Sequence, residues 1–100
     1  MVLLTSRTGK PRFFMNIHVT NLSLNVIEGD LKKLFKVYGE VGYVAIVRDR
    51  INGRSKGNAF VEMPIQAQGE QAIMGLHHTE VDGRRISVKE IEYRAGEFNN

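Results

Sequence analysis

The stretch KGNAFVEM, residues 56–63, decides the fold of this chain. Side chains that follow one another along a β-strand point to opposite faces, so this stretch, read as one strand, has two chemically different sides. One side is small or apolar and suits a face packed against helices; it consists of Gly57, Ala59, Val61 and Met63. The other side consists of Lys56, Asn58, Phe60 and Glu62. A large ring exposed among polar groups indicates a partner, and a nucleic-acid base is one such partner.

These residues resemble the longer ribonucleoprotein signature of the RNA-recognition motif (RRM) family, which reads basic, Gly, aromatic, Gly or Ala, aromatic, aliphatic, any, aromatic. Asn58 and Met63 stand where that signature has aromatic residues, and the other defined positions agree. The shorter companion signature, aliphatic, aromatic, aliphatic, any, Asn, Leu, resembles the stretch from Ile17 to Leu22, in which His18 takes the aromatic position. Two partial matches in the correct order are more specific than either alone. The resemblance defines an RRM domain over residues 15–91, similar to short bacterial proteins with a single RRM.

Periodicity along the chain predicts four strands and two helices. Polar and apolar residues alternate in the strands, and the inward apolar residues outside the central stretch are Ile17, Val19, Val44, Ile46, Ile86 and Val88. In the first helix, apolar residues recur at helical spacing from Ile27 to Tyr38, and Asn25 with Glu28 resembles a capping box at its start. The predicted strands are 16–20, 41–48, 56–63 and 84–91, and the second predicted helix is 66–76.

The order strand, helix, strand, strand, helix, strand is that of the ferredoxin-like βαββαβ sandwich, an α+β fold. We expect a four-stranded antiparallel sheet with both helices on one face, because each strand has only one apolar side to cover. The other face of the sheet is left open. Since this fold carries unrelated functions, the function of the chain has to be read from the residues on that open face.

The two ends of the chain lack periodicity. Residues 1–14 include Gly9 and Pro11 and are expected to form a disordered leader, although their three basic residues leave open a basic arm that contacts phosphates. Residues 92–100 are expected to form a loosely ordered tail. The net charge of +3 comes from the leader, because the remainder of the chain has 11 basic and 11 acidic residues. Only local clusters of charge can therefore attract a polyanion.

The composition excludes several classes of site. Without cysteine there is no disulfide, no thiolate metal ligand and no cysteine nucleophile. His77 and His78 are adjacent but have no third ligand at a recognisable spacing, so neither a metal nor another cofactor is expected. The sequence shows no pair of nucleophile and base, and the chain is predicted not to be an enzyme. No apolar run approaches the roughly 20 residues of a membrane span, and a cytoplasmic protein is expected.

Four residues on the open face are candidates for contact with bases. Phe60 supplies a ring on which a base can stack, unless the C-terminal tail or a neighbouring chain covers it. The resemblance places His18 at the stacking position of the first strand, where an imidazole can stack or, when protonated, meet a phosphate. Asn58 replaces a stacking ring and can hydrogen-bond a base edge instead. Tyr43, outward on the second strand, can compensate in part for the missing ring.

A basic cluster surrounds the turn between the second and third strands and is a candidate for phosphate contacts. It consists of Arg48, Arg50, Arg54 and Lys56, with Asp49 as the single acidic residue among them. Charge in a loop is usually only solvated, but this cluster adjoins the stacking face. Ser87 and Lys89 on the last strand resemble positions at which family members contact bases.

These residues predict a non-catalytic protein that binds single-stranded RNA, with single-stranded DNA as a further ligand class. The alternative is a degenerate RRM that acts as a protein–protein interaction module and uses its sheet or its helices to hold a partner. Asn58 and the neutral charge of the domain favour this alternative. The sequence leaves the oligomeric state open.

Overall fold

Eight elements of secondary structure lie within residues 15–91, the part of the chain that the computed structural model describes. In chain order they are β1 (Met15–Thr20), α1 (Glu28–Lys36), β2 (Tyr43–Arg48), β3 (Ser55–Met63), α2 (Gln66–Leu76), β4 (Glu80–Val81), β5 (Arg84–Arg85) and β6 (Ser87–Ile91). The predicted leader, residues 1–14, and the predicted tail, residues 92–100, lie outside the described residues. In the described part, neither helix is long and apolar enough to cross a membrane.

Four strands form one antiparallel sheet in the order β2, β3, β1, β6. The strand that contains KGNAFVEM, β3, therefore lies inside the sheet beside β1, and β2 and β6 are the two edge strands. Side chains of both helices join one buried cluster with the inward side of the sheet, among them Leu31, Phe35, Ala72 and Leu76. Both helices cover the same face, and the predicted ferredoxin-like α+β fold is confirmed.

The inward side of the strands carries the apolar residues that the alternation predicts. Three pairs are each at most 1% exposed: Ile17 and Val19, Ala59 and Val61, and Ile86 and Val88. Ile46 of β2 is also buried, and Val44 is partly buried against the same cluster. The register of the whole sheet is therefore set by these residues, because a shift by one position would turn every one of them to solvent.

Gly57 departs from the strand alternation at the start of β3. Its φ of +82° lies in the left-handed region, which side chains rarely adopt. Its carbonyl accepts the Leu22 N–H at 2.9 Å. A Cβ at Gly57 would lie 3.2 Å from the Leu22 carbonyl oxygen. Glycine at this point therefore lets the segment that follows β1 approach the beginning of β3.

The two glycines of α2 allow close contacts with other elements. A Cβ at Gly69 would lie 2.8 Å from Met15 Sδ, and a Cβ at Gly75 would lie 2.6 Å from Tyr38 Cζ. Each glycine weakens a helix by about 1 kcal/mol relative to alanine. In this fold they also permit Met15 of β1 and the ring of Tyr38 to pack directly on the backbone of α2.

The start of α1 differs from the sequence prediction. The helix begins at Glu28 with Ile27 as its N-cap residue, and the Ile27 N–H donates to Asp30 Oδ2 at 3.0 Å. The predicted capping box of Asn25 and Glu28 is wrong, because the Glu28 carboxylate lies beside β2, where Arg48 binds it. Ile27 is 54% exposed and does not belong to the buried stripe of the helix.

The last predicted strand, residues 84–91, is divided in two. β5 pairs with β4 in a separate two-stranded hairpin, and β6 alone joins the main sheet. Asp82 (φ +50°) and Gly83 (φ +84°) form the turn of that hairpin, as expected for two-residue hairpin turns. The division follows from Asn21, which has φ +62° and ends β1. Its side-chain amide donates to the Arg85 carbonyl at 2.8 Å, so the ladder between β1 and the last strand stops at this point.

Side chains cover part of both outer edges of the sheet. At β6, the Val88 N–H donates to Nδ1 of His77 at 2.9 Å. At β2, the Ile46 N–H lies 3.5 Å from Glu28 Oε2, at the limit of a hydrogen bond. His77 therefore has a structural role, in which its Nδ1 accepts and its Nε2 carries the ring proton.

Candidate nucleic-acid interface

His18 and Phe60 lie side by side in the middle of the open face, where they are direct cross-strand partners in β1 and β3. Their ring centroids are 4.6 Å apart and their planes differ by 12°, so the two rings are stacked. Phe60 is 39% exposed, in agreement with one covered and one open ring face. The two predicted platforms therefore form a single stack of two rings. The open face of Phe60 is directed to β2 and that of His18 to β6.

Asn58 adjoins this stack, two residues before Phe60 on the same side of β3. Its Oδ1 lies 3.4 Å from Nε2 of His18, which donates to it in the tautomer with the proton on that nitrogen. This long hydrogen bond restrains the imidazole ring. In the described part of the chain the NH₂ group of Asn58 has no partner, which leaves it in position to donate to a base edge.

The open face is arranged in rows that cross the strands. The middle row has one residue from each strand of the sheet: Ala45, Phe60, His18 and Lys89. A second row consists of Asn58, Thr20 and Ser87. The third row consists of Tyr43, Glu62, Asn16 and Ile91. Lys89 is exposed and Ser87 is half-buried, and both lie on the outward side, as the sequence predicts.

Ala45 leaves a recess beside the open face of Phe60. The two residues are cross-strand partners, and the side chain of Ala45 is only a methyl group. The surface of the sheet is therefore lower beside the ring of Phe60, and we call this low area the recess. Tyr43, diagonal to Phe60 and 59% exposed, borders the recess, so its predicted outward orientation is confirmed. Sequence reasoning missed Ala45 as part of the site. Its outward position follows from the alternation, but only the strand register places it directly opposite Phe60.

One member of the basic cluster around the β2–β3 turn, Arg48, forms an ion pair within the protein. Arg48 Nη2 is 2.9 Å from Glu28 Oε1, and Arg48 Nη1 donates to the Gly53 carbonyl at 3.3 Å. The backbone N–H of Glu28 and then the Arg48 guanidinium hold the pKa of that carboxyl below its ordinary value of 4.5. Arg48 is thus engaged within the protein. The other members of the cluster are exposed and have no acidic partner among residues 15–91: Arg50, Arg54 and Lys56.

Residues 17–87 match the RNA recognition motif family. The chain belongs to this family. The family predicted from the two partial signatures is thereby confirmed. Both strands that carry the signatures fall within the matched residues, and so does the basic β2–β3 turn. Lys89, at the end of the middle row, follows the matched range.

Relatives of this RRM include proteins of similar length and longer ones. RbpD of Nostoc sp. is 45% identical over 80 residues, which are 80% of this chain and 85% of RbpD. Glycine-rich RNA-binding protein 1 of Mycosarcoma maydis is 40% identical over 72 residues, which are 72% of this chain and 41% of that protein. The predicted resemblance to short bacterial members is confirmed by RbpD.

Solved structures agree with the fold of this RRM. RNA binding protein PG1 has a TM-score of 0.78 at 42% identity, and the match covers 80% of this chain and 96% of PG1. The chain in a Sxl-lethal protein/RNA complex has a TM-score of 0.71 at 31% identity, and the match covers 75% of this chain and 46% of that one. The four-stranded sheet described above is therefore the architecture of close relatives as well.

Proposed function

We propose that this RRM binds single-stranded RNA on the open face of its sheet, without catalysing a reaction. The middle row is the observation that best supports the proposal. It presents two stacked rings, a small residue beside one end of the stack and an exposed cation beside the other. Flat aromatic surface beside positive charge suits a ligand with flat bases and charged phosphates.

Base stacking supplies the first part of the binding energy. One base stacks on the open face of Phe60 and occupies the recess above Ala45. A second base stacks on the open face of His18, beside Lys89. Each base on an aromatic platform contributes about 1–3 kcal/mol. The bases of a duplex are already stacked on their neighbours, so a single strand is the ligand that can present them.

Exposed cations supply the second part by holding phosphates at two places. Lys89 lies at the β6 side of the face, and the β2–β3 turn carries Arg50, Arg54 and Lys56. Neutralising a phosphate of a single strand releases counterions, so each phosphate contact contributes about −0.7 to the slope of log affinity against log salt. If all four of these cations contact phosphates, the slope should be about −3, which means that affinity falls as salt rises. Arg48 contributes less, because Glu28 already holds its guanidinium.

Single-stranded DNA is proposed as a second ligand of the same face. Neither ring stacking nor phosphate contact requires the ribose 2′-hydroxyl, which is the group that separates RNA from DNA. Oligonucleotides of one sequence in both chemistries should therefore bind with similar affinity. A strong preference for RNA would indicate a 2′-hydroxyl contact in addition to the two proposed here.

A protein partner is the alternative function. Several large apolar side chains are exposed on the helix side of the domain, among them Val37 after α1 at 78% and Met74 of α2 at 75%. Single exposed apolar residues are common on proteins, so these two favour the alternative only weakly. They lie on the side opposite to the rings, and substitutions there separate the two functions.

The test is the binding of short labelled oligonucleotides, measured by fluorescence anisotropy over a range of salt concentrations. Phe60→Ala should weaken binding by about 1–3 kcal/mol, or roughly five- to 150-fold, because it removes one platform. Met74→Ala is the matched control: it also removes a large exposed apolar side chain and should leave affinity unchanged. If the wild type binds no oligonucleotide even at low salt, the proposal is wrong and the protein-recognition alternative takes its place.

A further inference from the structure

The β2–β3 loop, residues 49–54, is folded by hydrogen bonds that converge on Asp49. Asp49 Oδ1 accepts the Ile51 N–H at 2.8 Å and the Asn52 N–H at 3.1 Å. The Asp49 N–H donates to the Arg54 carbonyl at 2.8 Å, and the Asp49 carbonyl accepts the Gly53 N–H at 2.8 Å. A single aspartate therefore connects both ends and the tip of this loop.

Packing contributes little to the order of this loop. Ile51 at its tip is 93% exposed, and no atom lies within 4 Å of a Cβ built at Gly53. Besides the bonds of Asp49, the loop is held by Asn52 Oδ1, which accepts the Arg54 N–H at 2.9 Å, and by Arg48 Nη1, which donates to the Gly53 carbonyl at 3.3 Å. Three backbone N–H groups in the loop donate to side-chain acceptors, and two of these three bonds end at Oδ1 of Asp49.

The negative charge of Asp49 is unfavourable for binding a phosphate, which is the group that the surrounding cations attract. It is the one acidic residue between Arg48 and Lys56, a segment whose other charged residues are all cations. A carboxylate in this position repels a phosphate and lowers the local positive potential. Its hydrogen bonds, and not its charge, account for its place in the loop.

We propose that Asp49 is a positioning residue for RNA binding. Its carboxylate folds the β2–β3 loop before the ligand arrives, so that Arg50 and Arg54 meet the RNA backbone without first having to be ordered. The inference rests on the proposed RNA-binding function. Pre-ordering matters because a loop that is mobile in the unbound protein loses conformational entropy when it binds, which weakens the affinity.

Two substitutions of Asp49 separate its hydrogen bonds from its charge. Asp49→Asn and Asp49→Ala each remove one negative charge, so both gain the same electrostatic attraction for RNA. Asparagine keeps an Oδ1 that can accept the Ile51 and Asn52 N–H groups, whereas alanine has no acceptor. We expect Asp49→Asn to bind RNA at least as tightly as the wild type, and Asp49→Ala to bind about five- to twentyfold more weakly than Asp49→Asn.

Two further measurements distinguish positioning from a general loss of structure. Amide hydrogen exchange of the unbound protein should show slow exchange at Ile51 and Asn52 in the wild type and in Asp49→Asn, and fast exchange in Asp49→Ala. When Arg50→Gln and Arg54→Gln are combined with each Asp49 variant, the difference in affinity between them should vanish, because the loop then carries no arginine to position.

The outcomes separate this inference from the function on which it rests. If Asp49→Ala and Asp49→Asn bind RNA equally while Phe60→Ala weakens binding, the positioning role is wrong and RNA binding by the open face stands. If both Asp49 variants bind more weakly than the wild type to the same extent, the negative charge itself is required, which also overturns the inference. If the wild type binds no oligonucleotide, the proposed function and this inference are both wrong.

Discussion

Gly75→Ala in α2 should destabilise this protein, although alanine is the better helix former. In an open position the substitution stabilises a helix by about 1 kcal/mol. At Gly75 the added Cβ would lie 2.6 Å from Tyr38 Cζ and 2.8 Å from Tyr38 Cε1. Both distances are shorter than ordinary carbon contacts, so the ring has to move. Tyr38 is partly buried and packs against the core cluster, which makes that movement unfavourable.

The size of the effect follows from two opposing contributions. Forcing an extra methyl group into a packed contact costs about 1–3 kcal/mol of stability. The higher helix propensity of alanine offsets about 1 kcal/mol of this cost. Gly75→Ala should therefore lower the free energy of unfolding by about 0–2 kcal/mol. Gly29→Ala in α1 is the matched control, because no atom lies within 4 Å of a Cβ at that position. It should stabilise the protein by up to about 1 kcal/mol, so the two variants should differ by roughly 1–3 kcal/mol.

Urea denaturation and thermal melting measure this difference. For a domain of this size, each kcal/mol corresponds to a shift in Tm of about 4–8 °C. In a Tyr38→Ala background the penalty at Gly75 should disappear, and Gly75→Ala should then stabilise the protein as Gly29→Ala does. If Gly75→Ala stabilises the wild-type protein as much as the control, Tyr38 does not pack on α2 in the way described.

Two further predictions concern Glu28 and Asn58. The pKa of Glu28 is lowered in the folded protein by its own backbone N–H and by Arg48. The ionised carboxylate therefore stabilises the folded protein fully when the pH is above the pKa of Glu28 in the unfolded chain. This contribution is lost as the pH falls through the lowered pKa of the folded protein. Wild-type urea midpoints should therefore fall more steeply than those of Glu28→Gln between about pH 5 and pH 3, and parallel curves would contradict the pairing. Asn58→Phe should tighten RNA binding by about 1–3 kcal/mol in anisotropy titrations by adding a platform. A weaker affinity would instead show that the hydrogen bond of Asn58 to His18 is needed.

The fold could be predicted from the sequence because, in β3, the alternation of side chains along the strand agrees with the burial of one side against the helices. Val61 and Phe60 stand on opposite sides of the strand, and only one arrangement buries the first and exposes the second. The division of the last strand could not be predicted from alternation alone. It depends on Asn21, whose positive φ and side-chain amide act on a hairpin more than sixty residues away in the chain.

The candidate site could be predicted as a set of residues but not as an arrangement. The sequence predicts a phosphate contact for Arg48 and a helix-capping role for Glu28, because Arg48 has basic neighbours and Glu28 stands three residues after Asn25. In the folded chain the two side chains form an ion pair with each other instead, because β2 passes beside the first turn of α1. The stacking of His18 on Phe60 likewise depends on cross-strand register, which no signature specifies.

The histidine beside β6 also affects how this domain meets other copies of itself. An edge strand with unpaired N–H and C=O groups can accept a strand from another molecule, and such pairing leads to aggregation. A strand that approached β6 at Val88 would have to displace the ring of His77 from the N–H that it accepts. At β2, a strand that approached Ile46 would meet the carboxylate of Glu28. Both edges thus oppose the growth of the sheet into a larger assembly, while the face with the stacked rings stays open.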